Sequence, residues 1–233
     1  ARYGSASENM IAAWDKFHST VYSSLYSYPR YRWQTVTFDK RRKSRHDIND
    51  EFGEGVKLFL SCREECADSP LYVADAIEFA SFWLAHVADL HWLVALDAIE
   101  KGDMVLGKEK LDKTVELLTA VDRLLASHPE RNLTDWVEMA RAATDEPALK
   151  TAYETDAKRL VTTWGGAQED YAARMWSGLI ADYYIPRLYK HFEGQDKAAM
   201  LPWKEEWLSS EYVSKTVPFE NPLEEAVLLI EAN

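Results

Sequence analysis

The chain has 233 residues, of which 47% are hydrophobic, so it can bury a sizeable core and we expect residues 1–233 to form one domain. Its formal net charge of −12 opposes the wide positive surface that nucleic acids and anionic membranes require, so we expect neither kind of partner. We find no signal peptide and no apolar run long enough to cross a bilayer. Because the first residue is Ala1 and not Met, we expect a processed product or a domain of a longer protein.

A short basic run interrupts this acidic composition between Thr37 and Asp47. It can be interpreted as a nuclear address or an anion-binding patch, although charge runs usually lie on a solvated surface. We therefore expect a solvated loop that leads into a helix. The run consists of Lys40, Arg41, Arg42, Lys43 and Arg45.

The two cysteines, Cys62 and Cys66, lie four residues apart. On a helix this spacing places both on one face but gives poor geometry for a disulfide. The sequence therefore predicts two free thiols.

Helices account for nearly all of the predicted structure, since the chain has only nine glycines and eight prolines and few stretches alternate as strands do. Ser69 as an N-cap and Pro70 at the first helical position begin a long apolar segment that runs to about Lys101, before Gly102. Its apolar residues lie on nearly every face, as in a central helix, and an amphipathic helix follows. The predicted fold class is all-α, a multi-helix bundle.

Further helices are predicted from hydrophobic periodicity and from start and stop signals. They cover 8–27, 45–66, 133–143, 147–163, 170–192 and 220–231, with irregular links at 28–44 and 194–219. The segment Arg32–Phe38 alternates like a strand but is too short to hold a sheet by itself.

No residue pattern in the chain indicates catalytic or metal chemistry of its own. A carboxylate-bridged metal pair in a bundle would need Glu-x-x-His repeats, and none occurs. His86 and His91 are five residues apart and diverge on a helix, so we expect ordinary interior or rim histidines. Nucleophile-elbow and phosphate-binding glycine patterns are also missing. We assign no catalytic residue, no metal ligand and no cofactor to this chain.

The most informative part of the sequence lies between Leu160 and Arg187. It contains, in order, Leu160-Val161-Thr162-Thr163-Trp164-Gly165, Asp170-Tyr171-Ala172, Trp176-Ser177-Gly178-Leu179 and Asp182-Tyr183-Tyr184-Ile185-Pro186-Arg187. In this order and spacing the four motifs resemble the C-terminal region of the α-N-acetylglucosaminidases, glycoside hydrolase family 89. The resemblance extends over about residues 1–193 through Arg2-Tyr3-Gly4, Ala13-Trp14, Val21-Tyr22 and Trp136–Ala143.

The resemblance implies the all-helical C-terminal domain of a hydrolase that removes terminal α-linked N-acetylglucosamine from glycans with retention. Two Glu side chains of a catalytic barrel would perform the reaction, one as nucleophile and one as acid and base. Both would lie outside this chain, which is therefore expected to be inactive alone. The implied partners are that barrel and the glycan substrate, and the implied compartment of the parent is secreted, periplasmic or lysosomal.

Trp164 and Tyr171 flank the Gly165-Gly166 break, and we expect them to face the sugar. A Trp ring can stack on the apolar face of a sugar, and a Tyr supplies both a ring and a hydroxyl. The alternative is structural: Trp164 plugs the helix junction and Tyr171 packs the bundle. Residue types alone do not decide between the two.

Asp170 and Trp176 are expected to lie behind these rings, and Pro186 and Arg187 are expected to have structural roles. Asp170 either holds Tyr171 or caps the following helix, and capping is the commoner role for an aspartate. Trp176 lies seven residues before Tyr183, a spacing typical of a packing stripe, and we place it behind the sugar surface. Pro186 should bend or end its helix, and Arg187 should form a buried structural pair.

Two other functions stay open on the sequence alone. The chain can be a stand-alone helical module that binds a glycan or a protein without hydrolase activity, or a purely structural interaction domain. A domain that normally packs on a barrel should expose a large apolar surface, whereas a free-standing module should not.

Overall fold

The computed structural model describes residues 2–4, 7–23, 30–35, 47–165 and 169–233. These residues form ten α-helices and no β-strand, so the predicted all-α fold is confirmed for the described part of the chain. The helices are α1 (Glu8–Ser19), α2 (Asp50–Leu60), α3 (Arg63–Cys66), α4 (Pro70–Glu100), α5 (Met104–Leu125), α6 (Leu133–Arg141), α7 (Pro147–Leu160), α8 (Ile185–Phe192), α9 (Leu201–Ser209) and α10 (Pro222–Ala232).

Helix α4 is the centre of the bundle, and α2, α5 and α10 pack around it. The Ser69 side chain accepts a hydrogen bond from the backbone N–H of Tyr72, which caps the helix as predicted. By length and composition α4 is apolar enough to cross a membrane, so the expectation that no such run exists is wrong. More than half of that apolar stretch is buried inside the protein, including Leu84 and Trp92, as befits the core helix of a bundle.

Aromatic side chains fill the space between α1, α2 and α4. The ring centroids of Phe17 and Phe79 lie 4.4 Å apart, and Phe52 packs 5.4 Å from Phe17. Phe59 stacks on Tyr72 with centroids 4.8 Å apart. Because such rings bury large apolar areas and favour offset or edge contacts, this cluster ties the first third of the chain to α4.

A buried carboxylate joins α5 to two later segments. Asp122 accepts hydrogen bonds from the backbone N–H groups of Gly178 at 2.8 Å and Ala181 at 3.1 Å, and from the hydroxyls of Ser177 and Thr216. Burial raises the pKa of the Asp122 carboxyl, although each of these hydrogen bonds opposes that shift. Asp122 therefore fixes the chain just before α8 and the link that follows α9.

Several predicted boundaries need correction. The first helix ends at Ser19, and the predicted helix 45–66 is two helices, α2 and α3. The predicted link 194–219 contains α9, a helix whose capping residue Met200 gave no polar start signal. The segment Arg32–Gln34 is a short 3-10 helix rather than part of a ribbon, while 36–38 and the basic run lie outside the described residues.

The largest correction concerns the predicted helix 170–192, of which only the second half is helical. Asp170 and Gly178 have φ angles of 62° and 82°, and these left-handed positions interrupt any α-helix. A π-helical turn, Ile180–Tyr184, then leads into α8. Pro186, which lacks an N–H and cannot fit an ordinary helix interior, follows directly on this wider turn, so the helix continues past it instead of ending.

Cys62 and Cys66 are both buried and form no disulfide, as predicted. Among the described residues no group of three or more His, Cys, Asp or Glu side chains has the arrangement of a metal site. His86 and His91 both lie on α4, and burial lowers the pKa of His91.

Candidate functional site

The end of α7 presents Trp164 in an unusual backbone conformation. The helix ends at Leu160, and the backbone N–H of Trp164 donates to the carbonyl oxygen of Arg159 at 2.8 Å. Trp164 has a φ of 55°, a left-handed value that bulky residues rarely adopt, and Gly165 follows with a φ of 132°. These two left-handed residues prevent the helix from continuing. Backbone strain of this kind is concentrated at functional sites.

Trp164 and Tyr171 come together to form one aromatic surface. Their ring centroids lie 5.2 Å apart and their planes are inclined by 51°. The two residues are 37% and 45% exposed, so neither is buried in the bundle core. The structure thus brings together the two residues expected at the sugar surface and leaves part of each ring available to a ligand.

Asp170 anchors the backbone directly before Tyr171. Its N–H donates to the carbonyl oxygen of Thr162 at 2.8 Å, which holds the start of this segment against the end of α7. Both carboxylate oxygens accept from Nη1 of Arg187, at 2.9 and 3.1 Å. No helix begins directly after Asp170, so the expected capping role is wrong. The buried pair expected for Arg187 is confirmed.

Arg187 is fully buried between two tyrosine rings. The guanidinium carbon lies 5.1 Å from the centroid of Tyr183 and 5.2 Å from that of Tyr184. Burial by itself would lower the pKa of Arg187, but the Asp170 carboxylate raises it above its usual value. The charge on Arg187 is therefore permanent, and the ring faces on either side stabilise it.

The residue before Asp170 is held in the same way from a different helix. The Glu169 carboxylate accepts from Nζ of Lys204 on α9, and Nζ of Lys197 lies 3.0 Å from its other oxygen. Burial would raise the pKa of Glu169, but the hydrogen bonds from both lysines outweigh it and lower that pKa. The side chains of Glu169 and Asp170 are thus each paired with a positive side chain inside the protein.

Trp176 is half-buried and packs away from the paired rings. Its ring centroid lies 5.9 Å from that of Trp136 on α6, and the Trp136 indole N–H donates to the carbonyl oxygen of Ala157 on α7. Tyr183 instead stacks on Trp203 and Trp207 of α9. Trp176 and Tyr183 therefore pack against different helices instead of continuing one stripe.

Sequence reasoning missed two side chains near the rings. The Arg30 guanidinium donates to the carbonyl oxygen of Tyr171, although Arg30 stands in a segment without any motif. Lys204 lies in a tail where the resemblance was no longer diagnostic. A single sequence gives no sign that this lysine is buried, because lysine side chains are normally exposed at the protein surface.

A groove lies between α6 and α7. This open groove has a volume of about 330 Å³ and is mostly apolar. Its lining includes Trp136, Met139, Tyr153 and Leu160, of which Leu160 ends α7 just before the Trp164 turn. Met139, Tyr153 and Leu160 in this lining are exposed apolar residues.

The chemistry available at the paired rings is binding rather than bond breaking. The rings offer faces for stacking on a sugar, and the Tyr171 hydroxyl can donate or accept one hydrogen bond. The two acidic residues next to Tyr171 are neutralised by Arg187, Lys204 and Lys197. Neither of these two carboxylates is therefore available as a nucleophile or an acid.

Comparison with known proteins relates the whole chain to one family. Residues 1–227 match the family described as the α-N-acetylglucosaminidase (NAGLU) C-terminal domain. Human α-N-acetylglucosaminidase is 29% identical in an alignment of 201 residues that covers 80% of this chain and 26% of the human protein. A family 89 glycoside hydrolase from Clostridium perfringens, solved with PUGNAc, superposes with a TM-score of 0.85 at 23% identity, over 98% of this chain and 30% of that one.

A further Clostridium perfringens structure, in complex with its substrate GlcNAc-α-1,4-galactose, superposes with a TM-score of 0.81 at 25% identity. The match covers 98% of this chain and 30% of the bacterial one. The chain therefore spans between a quarter and a third of the relatives it matches.

Proposed function

Because this chain belongs to the α-N-acetylglucosaminidase C-terminal domain family, we propose that it is the C-terminal part of a glycosidase acting on terminal α-linked N-acetylglucosamine with retention. The name of the human relative and the α-linked substrate in the bacterial complex support this activity. A retaining mechanism needs two carboxyl groups about 5–5.5 Å apart, and we place both on a catalytic domain outside this chain. Proton NMR of the intact polypeptide acting on an aryl α-N-acetylglucosaminide should show the α-anomer of the sugar first.

The role of this chain is to support that catalytic domain and to supply one wall of the sugar pocket. The observation that supports this role is the exposed pair of Trp164 and Tyr171, whose rings are in contact and whose backbone is held by buried contacts. Pockets that bind sugars and other small ligands commonly form between domains, where each side contributes a few fixed groups. The apolar residues around the pair, including Leu160, are the surface we expect the catalytic domain to cover.

The test of the pocket wall is Tyr171→Phe in the intact polypeptide. Removing the hydroxyl deletes a positioning hydrogen bond that contributes on the order of 0.5–1.5 kcal/mol, so kcat/KM should fall by roughly threefold to tenfold. The melting temperature should not change, because Tyr171 is nearly half exposed and its ring remains. Kinetics and thermal stability are measured on the same samples.

Tyr22→Phe is the matched control, since Tyr22 is 58% exposed after α1 and packs against Trp14, outside the groove. Its kinetics should equal those of the unmodified enzyme. If Tyr171→Phe turns over substrate normally at an unchanged melting temperature, Tyr171 is not part of the pocket. Trp164→Ala is a poorer probe, because truncating a tryptophan can remove about 3–5 kcal/mol of stability where it is packed and would mimic a functional loss.

The alternative is a stand-alone helical module that binds a glycan or a protein without hydrolase activity. The apolar groove between α6 and α7 is the observation in its favour. Hydrogen exchange separates the two cases: a domain packed on a barrel should show protection around Leu160 in the intact polypeptide that is lost in this chain alone. We place the parent enzyme in a secreted, periplasmic or lysosomal compartment, as the human and bacterial relatives suggest, and cell fractionation tests this.

A further inference from the structure

Two consecutive carboxylates precede Tyr171, and each is paired inside the protein with a cation from a different downstream helix. The Asp170 side chain is 3% exposed beside a fully buried Arg187 of α8. The Glu169 side chain is 6% exposed beside Lys204 of α9, whose own side chain is 1% exposed. Removing charges from water is costly unless they pair closely, so two adjacent buried pairs at one short segment hold its backbone firmly.

The helix that carries Lys204 is itself fixed to the body of the protein. Nζ of Lys158 on α7 donates to the carbonyl oxygens of Trp207 and Ser210, at the end of α9. In addition, Trp203 of α9 stacks on Tyr183 with ring centroids 5.3 Å apart. Lys204 therefore reaches Glu169 from a rigid support rather than from a loose tail.

The same segment also sets the distance between the two rings. The hydrogen bond from Asp170 N–H to the Thr162 carbonyl joins the start of the Tyr171 segment to the turn that carries Trp164. Asp170 adopts a left-handed φ of 62°, which an L-residue keeps only where its surroundings enforce it. The ion pairs of Glu169 and Asp170 are the visible source of that constraint.

We propose that Lys204 and Arg187 are positioning residues for the sugar surface, holding Tyr171 against Trp164 through Glu169 and Asp170. This inference rests on the proposed function, because it takes the paired rings as the sugar-binding wall. It gives α9 a role in the site, although none of its residues belongs to the motifs of the resemblance. Rings that are already held in the binding arrangement bind a sugar more tightly, because no free energy is lost in ordering them when the sugar binds.

The experiment uses Lys204→Met in the intact polypeptide with two readouts. The variant leaves Glu169 buried with only the half-exposed Lys197 as a partner, so the Glu169 carboxylate should move towards water and displace Tyr171. We expect kcat/KM per folded molecule to fall about tenfold. We also expect the fluorine NMR signal of Trp164, in enzyme labelled with fluorotryptophan and assigned with Trp164→Phe, to shift or broaden.

A compensating variant separates positioning from simple loss of stability. In Lys204→Met/Glu169→Gln both partners are neutral, so residue 169 no longer carries a buried charge that favours exposure to water. The Trp164 signal should therefore return towards its original position. Arg131→Met is the matched control, because it takes a cation from Glu78 on α4, whose side chain is 20% exposed, and no part of the α7–α9 support is involved. It should lower the melting temperature without changing the Trp164 signal or kcat/KM per folded molecule.

The results divide cleanly between the two proposals. If Lys204→Met leaves the Trp164 signal unchanged, or if Arg131→Met changes that signal equally, the positioning role is overturned. If Lys204→Met moves the signal and the double variant restores it, the positioning role is supported whatever the kinetics. Should kcat/KM then be unaffected by Lys204→Met and by Tyr171→Phe alike, it is the sugar-binding role of the rings that fails.

Discussion

Gly178 marks a position where the backbone and a neighbouring side chain both exclude any larger residue. Its φ is 82°, and a Cβ built there would overlap the hydroxyl of Tyr212. Its N–H also donates to Asp122, so the backbone cannot move away freely. We expect Gly178→Ala to lose about 1–2 kcal/mol from the left-handed backbone and about 1–3 kcal/mol from overpacking. Urea unfolding measures the sum of these two losses as a change in the free energy of unfolding.

Gly102 separates these two contributions. Its φ of 78° is nearly the same, but a Cβ added there meets nothing within 4 Å. Gly102→Ala should therefore show the backbone contribution alone, about 1–2 kcal/mol. Adding Tyr212→Phe to Gly178→Ala should recover part of the lost stability by removing the overlapping oxygen. Equal losses at Gly102 and Gly178 would contradict the steric account.

Asp182 makes the stability of the fold depend on pH. Burial, and then the negative charge of Asp122, raise the pKa of the Asp182 carboxyl from 3.8 to about 6. The folded state therefore binds the proton more tightly than the unfolded state between about pH 4 and pH 6. The stabilisation that protonated Asp182 contributes is fully present below this pH range and is lost as the pH rises through about 6. Asp182→Asn should melt higher than the unmodified chain at pH 8.

The difference between the two melting temperatures should shrink as the pH falls from 6 towards 4. Thermal unfolding followed by circular dichroism across this range measures it. Asp145→Asn, at an exposed position of the α6–α7 link, is the control and should show no such trend. A difference that is constant from pH 8 to pH 4 would mean that Asp182 is not the titrating group.

At the scale of elements, the sequence predicts α4 well because its signals are local. The Ser69 cap, Pro70 and the left-handed Gly102 stand at its two ends, and each acts on the backbone beside it. The segment 170–178 lacks such signals. Its residues have helical spacing, but Asp170 is fixed in a left-handed conformation by Arg187, which lies 17 residues away in the sequence.

The candidate site divides in the same way. Trp164 and Tyr171 were identified through a resemblance, and their contact depends on a turn that the Trp-Gly sequence only suggests. Glu169 and Lys204 meet across 35 residues. A long-range pair of this kind leaves no periodicity in one sequence, because either residue alone looks like an ordinary surface charge. The support of the site was therefore beyond sequence reasoning.

At the scale of the whole molecule, we propose that residues 1–233 fold as one domain. Buried apolar residues form one cluster that includes Tyr3 near the start and Ile230 near the end. Helix α10 packs against α2, α4 and α5, so the last helix covers the same core as the first ones. The exposed surface at Leu160, Trp164 and Tyr171 lies at the end of α7.

A domain of this kind should bind but not hydrolyse, and we expect this chain alone to leave an aryl α-N-acetylglucosaminide intact. The reaction requires one carboxylate to attack the sugar and a second carboxyl to carry a proton. Beside the candidate sugar surface, Glu169 and Asp170 are already bound by cations, and neither can approach an anomeric carbon without breaking a buried ion pair. Release of the chromophore by the purified chain is compared with release by the intact polypeptide at equal molar concentration. Turnover by the chain, abolished when one of its own acidic residues is replaced, would place the catalytic centre here and refute the assignment of a supporting domain.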